Sequence, residues 1–96
     1  MISSITIYYS STCGLCHKAM EFFISRGLDF DARCIGYDPE RDAWLPSPNV
    51  EELEKRMGPF DFVPQIFING THVAGWRKLE PMIGSGEFDR LLGEGA

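Results

Sequence analysis

The chain opens with a short apolar run, Ile5-Thr6-Ile7-Tyr8-Tyr9, which predicts a first strand over Ser4–Tyr9. Past Ser10, Ser11 and Thr12 the period lengthens. Cys16, Ala19, Met20, Phe23 and Ile24 recur at three- and four-residue steps, with Lys18, Glu21, Ser25 and Arg26 on the outer side. That stripe predicts an amphipathic helix, and Gly27 supplies its stop. Alternation then returns, because Phe30, Ala32 and Cys34 interleave with Asp29, Asp31 and Arg33. Leu28–Ile35 therefore reads as a second strand, with Cys34 as a small buried hydrophobe.

Between Gly36 and Pro48 no period survives, and Pro39, Pro46 and Pro48 predict a long loop. Trp44 and Leu45 within it are expected to pack back onto the domain as a local lid. Asn49, with Glu52 three residues on, reads as the start of a short helix carried by Val50, Leu53 and Met57 and ended by Gly58-Pro59. Gln65–Asn69 and Thr71–Gly75 flank an Asn69-Gly70 turn, the sequence mark of a tight hairpin. Leu79, Met82 and Ile83, then Phe88, Leu91 and Leu92, predict a closing helix divided at Gly84-Ser85-Gly86, with Gly93–Ala96 as a frayed tail.

The chemistry concentrates where the first strand meets the first helix, at Cys13-Gly14-Leu15-Cys16. Free backbone N–H groups and the positive end of the helix dipole favour a thiolate at Cys13. Cys16, one turn deeper on the same face, is placed to resolve a mixed disulfide formed at Cys13. Two other readings share these residues. Cys13-x-x-Cys16-His17 spells the haem c attachment pattern, with Met57 and Met82 as available axial ligands. Against it, Met1–Ser10 has neither the basic nor the long apolar region of an export signal. Zinc held by Cys13, Cys16, His17 and Cys34 is the other reading, although adjacent Cys16 and His17 point to different helix faces. His17 reads as an exposed helix-surface histidine.

Composition narrows the setting. Ninety-six residues, 44% of them hydrophobic and 24% charged, are expected to form one domain spanning 1–96. No apolar run approaches the roughly 20 residues of a membrane span. A net charge of −5 argues against nucleic acid or an anionic membrane as partner. Three cysteines, an odd number, argue against a secreted disulfide scaffold and for a reducing, cytoplasmic compartment.

The order β-α-β-α-β-β-α with Cys-x-x-Cys after the first strand is that of the thioredoxin fold, an α/β fold with a four-stranded mixed sheet flanked by helices. Beyond the cysteine pair, the chain carries Phe62-Val63-Pro64-Gln65-Ile66-Phe67-Ile68-Asn69-Gly70, Val73-Ala74-Gly75-Trp76 with Leu79, and Ser85-Gly86-Glu87-Phe88-Asp89 with Leu91-Leu92. On these residues it resembles a glutaredoxin over essentially its whole length, and the haem reading has no use for them. The resemblance implies a thiol–disulfide oxidoreductase with Cys13 as nucleophile, Cys16 as resolving thiol and glutathione as reductant. It also implies a cis Pro64 against the redox pair, a Val63 backbone that pairs with bound glutathione, and Gln65, Gly75, Trp76 and Arg77 around the tripeptide. Implied clients are glutathione mixed disulfides and protein disulfides, including that of ribonucleotide reductase. The protein is expected to be a monomer unless an iron–sulfur cluster bridges two copies through Cys13 and two glutathiones, the alternative that Gly14 leaves open. A dedicated electron donor that docks one partner through the Gly36–Pro48 loop is a further alternative.

Three single positions and one run depart from the pattern common in that family. Ser10 stands in place of a lysine, Gly14 in place of the motif proline, and Phe62 in place of a threonine. Ala74-Gly75-Trp76-Arg77-Lys78 replaces a Gly-Gly-x-Asp-Asp run, which turns two acidic positions basic at the γ-glutamyl end of glutathione.

Overall fold

A computed structural model of the chain describes residues 4–93; the expected tail at 94–96 lies outside them. In chain order the elements are β1 (Ile5–Tyr9), α1 (Gly14–Ser25), β2 (Asp31–Cys34), β3 (Tyr37–Asp38), β4 (Ala43–Trp44), α2 (Pro48–Met57), β5 (Gln65–Ile68), β6 (Thr71–Ala74), α3 (Trp76–Ser85) and α4 (Glu87–Leu92). The main sheet runs β2-β1-β5-β6. β1 and β2 are parallel, while β1–β5 and β5–β6 are antiparallel. This is the four-stranded mixed sheet expected of the thioredoxin fold. No helix among the described residues is long and apolar enough to cross a membrane.

Strand alternation sorts the core into two layers. Ile5, Ile7, Ile66, Ile68 and Val73 face Ala19 and Phe23 of α1, Leu79 of α3, and Phe88 and Leu92 of α4. Tyr8, Phe67 and Ile35 face Val50 and Leu53 of α2 on the other side. A polar network ties α2 down. The Tyr8 hydroxyl donates to Glu52, Arg56 donates to the Tyr8 oxygen at 3.2 Å, and Arg33 bridges Asp31 and Glu52.

Local signals behave as their chemistry predicts where no tertiary partner overrides them. Asn69 and Gly70 both take positive φ, +48° and +88°, the backbone a two-residue hairpin turn requires. The closing helix divides at Gly86, whose left-handed backbone ends α3 and starts α4.

Five expectations are corrected. Cys34 is exposed, because β2 is the edge strand and no layer covers that face. Ile24 is 66% exposed, while Phe22, outside the expected stripe, packs its ring against Phe88 at 5.1 Å between centroids. α2 starts two residues earlier than expected: Ser47 Oγ accepts from Val50 N at 3.2 Å and Pro48 takes the first turn. Asn49 instead donates its side-chain amide to Cys34 O at 2.8 Å. The Gly36–Pro48 loop contains a small hairpin, β3–β4, whose Trp44 packs back against Phe60 whereas Leu45 stays 47% exposed.

Candidate active site

Cys13 is the N-cap of α1, with extended backbone (φ −90°, ψ 111°). Its Sγ accepts a hydrogen bond from Cys16 N at 3.1 Å, the role a serine or aspartate oxygen plays at an ordinary helix start. A thiolate strengthens such a bond, since a charged acceptor binds an N–H more tightly than a neutral one. Half-buried, Cys13 is reachable from outside, and its Sγ lies 3.6 Å from Val63 O. Cys16 is the opposite in every respect. It is fully buried, and burial, reinforced by the neighbouring Cys13 sulfur, pushes its thiol up to about 12. A backbone hydrogen bond at Ser10 opposes that rise without cancelling it.

His17 is exposed and turns away from the sulfurs, with Nε2 2.9 Å from Ser11 O. Among the described residues no group of three or more His, Cys, Asp and Glu side chains is close enough to hold a metal ion, so the zinc quartet of Cys13, Cys16, His17 and Cys34 is not assembled.

The Val63–Pro64 peptide bond is cis and immediately precedes β5, beside Cys13. A groove of about 480 Å³ opens there. Val63, Pro64 and Phe62 line one wall, Ala74, Gly75 and Trp76 another, with Leu15, Arg77 and Lys78 at the rim. Gly75 has φ +90° and ψ 168°, a region essentially reserved for glycine, and a Cβ there would lie 3.1 Å from Phe62 Cε2. The missing side chain is what allows Phe62 to pack across the groove.

Gly75 also begins α3, which has no side-chain cap and no acidic residue in its first turn. The groove lining contains no carboxylate. Arg77 and Lys78 are exposed and pair with no acid among the described residues. A strongly acidic protein thus presents one exclusively basic rim.

The structure brings Val63, Pro64, Gly75, Trp76 and Arg77 together around this groove, and it leaves Gln65 out. Gln65 is fully buried rather than on a polar strand face. Its amide donates to Phe62 O at 3.0 Å and accepts from His72 Nε2 at 2.7 Å, so both ends are spent inside the protein. Partial desolvation lowers the His72 pKa. Sequence reasoning missed Leu15, 39% exposed at the groove rim. Its place between the two motif cysteines was the available signal.

An N-capping cysteine backed by a buried second thiol, set against the cis-proline start of a central strand, defines a thiol–disulfide oxidoreductase on a thioredoxin fold. The chain belongs to the glutaredoxin family, whose sequence model matches residues 5–73. It is 32% identical over 91 residues to glutaredoxin 3 of Escherichia coli, covering 95% of this chain and 99% of that protein. A probable glutaredoxin of Synechocystis is also 32% identical over 91 residues, covering 94% of this chain and 93% of its own length. Among solved structures, the glutaredoxin of Brucella melitensis superposes with a TM-score of 0.68 at 29% identity, over 100% of this chain and 94% of that one. A buckwheat glutaredoxin–glutathione complex superposes with a TM-score of 0.71 at 19% identity over 96% of this chain and 78% of that one, a likeness of fold. As in its relatives, the activity is disulfide oxidoreduction of the glutaredoxin type.

Proposed function

We propose that this protein reduces glutathione mixed disulfides and protein disulfides at the expense of glutathione, with Cys13 as the attacking sulfur and Cys16 as the resolving one. The observation that carries the reading is the asymmetry of the pair: Cys13 is capped by an N–H donor and half-exposed, while Cys16 is sealed and held protonated. The Val63 backbone, whose carbonyl oxygen lies 3.6 Å from Cys13 Sγ, offers an edge along which a thiol peptide can lie as a short strand.

In the first step the Cys13 thiolate attacks the glutathionyl sulfur of a mixed disulfide; a Cys13–glutathione disulfide forms and the client leaves as a thiolate that takes up a proton. Two exits follow. A second glutathione thiolate can attack the glutathionyl sulfur, which releases oxidised glutathione and returns both electrons to Cys13 as thiolate. Alternatively Cys16 loses its proton and attacks Cys13 Sγ, forming the intramolecular disulfide and expelling glutathione. A charged Cys13 contributes to holding the Cys16 proton, and that contribution vanishes once Cys13 is in a mixed disulfide. Burial still opposes ionisation of Cys16 on that second exit. Cys16 beside Cys13, a ready disulfide partner, favours this redox reading over a glutathione-bridged iron–sulfur cluster between two copies.

Cys13→Ser is expected to abolish reduction of every disulfide, while Cys16→Ser keeps turnover of glutathione mixed disulfides and loses dithiol reduction of protein disulfides. Steady-state assays on both substrate classes decide this, and trapping of Cys16 or Cys34 before Cys13 by iodoacetamide would overturn the assignment. Cys16 also gives a pH signature. Its folded value near 12 lies above that of an ordinary thiol, so the native state holds the proton more tightly than the unfolded chain. The stability this contributes is present below about pH 9 and lost as pH rises towards about 12. Denaturant midpoints of the reduced protein should therefore fall more steeply over that window than those of Cys16→Ser.

A further inference from the structure

Tyr37, Trp44 and Phe60 meet around a second cavity, of about 540 Å³, whose lining also includes Asp42 and Asp61. Its aromatic wall is held in place. Tyr37 and Trp44 are paired across the β3–β4 hairpin with ring centroids 5.4 Å apart, and Trp44 stacks on Phe60 at 5.2 Å with planes 27° apart. The Trp44 indole N–H donates to Phe60 O at 3.0 Å, and the Tyr37 hydroxyl donates to Asp42. Asp61 is exposed and pairs with no cation among the described residues, and no lysine or arginine lines the cavity. An aromatic cluster beside the unpaired Asp61 and the Tyr37-bonded Asp42 attracts a cation, and a guanidinium suits it best because its flat face packs on rings while its N–H groups donate to carboxylates.

The position of the cavity relative to the sulfur specifies the partner. Phe60 precedes Val63 by three residues, and Val63 O lies 3.6 Å from Cys13 Sγ. Three residues of extended chain reach about 11 Å at most. A client segment with its cysteine at Cys13 that runs along Val63 towards Phe60 therefore has the reach to place a side chain three or four residues away in this cavity.

The geometry points to a docking site for an arginine of the protein client, three or four residues from the cysteine being reduced. The assignment rests on the reading of Cys13 and Val63 as the place of disulfide exchange. It makes the hairpin a client-selecting element separate from the glutathione groove.

Two peptides test it, each with a central cysteine as its glutathione mixed disulfide and with either arginine or glutamate three and four residues to both sides. At low ionic strength the arginine peptide is expected to show a kcat/KM about fivefold above the glutamate peptide. That ratio should fall towards one in the Asp42→Asn/Asp61→Asn variant, in which asparagine tolerates the positive φ of +53° at position 42. Equal kcat/KM in the wild-type protein, or a preference that survives in the double variant, would overturn the proposal. Serine versions of the peptides separate docking from chemistry. The arginine peptide should shift the Trp44 indole N–H resonance and the glutamate peptide should not, and failure of that shift overturns the docking site even where turnover is normal. A shift without reduction of either mixed disulfide supports the docking site and refutes the redox reading instead.

Discussion

Phe62 lines the groove beside Gly75, while its chain neighbours Phe60 and Asp61 line the cavity beside Trp44, so one short segment supplies walls to two unlike sites. The groove is apolar with a basic rim of Arg77 and Lys78 and contains no acid. The cavity is aromatic with Asp42 and Asp61 and contains no base. Groove walls come from the central strand start and from the glycine that opens α3; cavity walls come from an irregular connection that folds its own hairpin. The contrast teaches that the regular elements of the sheet and helices build the place of sulfur exchange, and that an irregular connection can add a second recognition surface within a few residues of it. The opposite charges of groove and cavity also give an approaching client a preferred orientation.

The comparison breaks most readily at Gly75. Gly75→Ala forces a side chain into a glycine-only region of backbone and against the Phe62 ring, at a cost of about 1–3 kcal/mol. A lower thermal midpoint and a raised KM for glutathione are expected, with the Trp44 environment unchanged in its indole resonance. A normal KM would show that the Phe62 wall does not shape the groove.

Trp44→Phe tests the other side. It keeps a stacking ring for Phe60 but removes the indole donor from Phe60 O, which should lower stability by about 1 kcal/mol. Turnover of a small glutathione mixed disulfide should not follow. Loss of that turnover would mean that hairpin and groove are one site, not two.

Arg77→Asp combined with Lys78→Asp gives the smallest effect and the sharpest statement about the groove. Glutathione carries both an ammonium and a carboxylate at its γ-glutamyl end, and the basic rim repels the first. Restoring both acids should raise kcat/KM for glutathione by about two- to threefold in all at low ionic strength, and less at high salt. An unchanged or lower value would identify the basic pair as a carboxylate clamp or as groups that face only solvent.

What the sequence determined by itself was the set of features whose causes are local. The Cys13-x-x-Cys16 spacing, the α1 stripe from Cys16 to Phe23, the Asn69-Gly70 turn and the break at Gly86 each depend on residues within one or two turns of chain, so their pattern is written consecutively. Motif residues from Phe62 to Gly70 added the resemblance that set strand order. Only the tertiary structure decided the rest. Cys34 alternates as a buried strand residue should, yet it is exposed because β2 lies at an edge, and position in a sheet is a property of all the strands together. Gln65 looks like a surface residue, yet it is fully buried because Phe62 O and His72 satisfy its amide, partners that alternation does not reveal. The β3–β4 strands are two residues each, too short to show a period, and Trp44 meets Phe60 across 16 positions of sequence. Composition put aromatic and acidic residues into that stretch of chain; only packing turned them into a cavity.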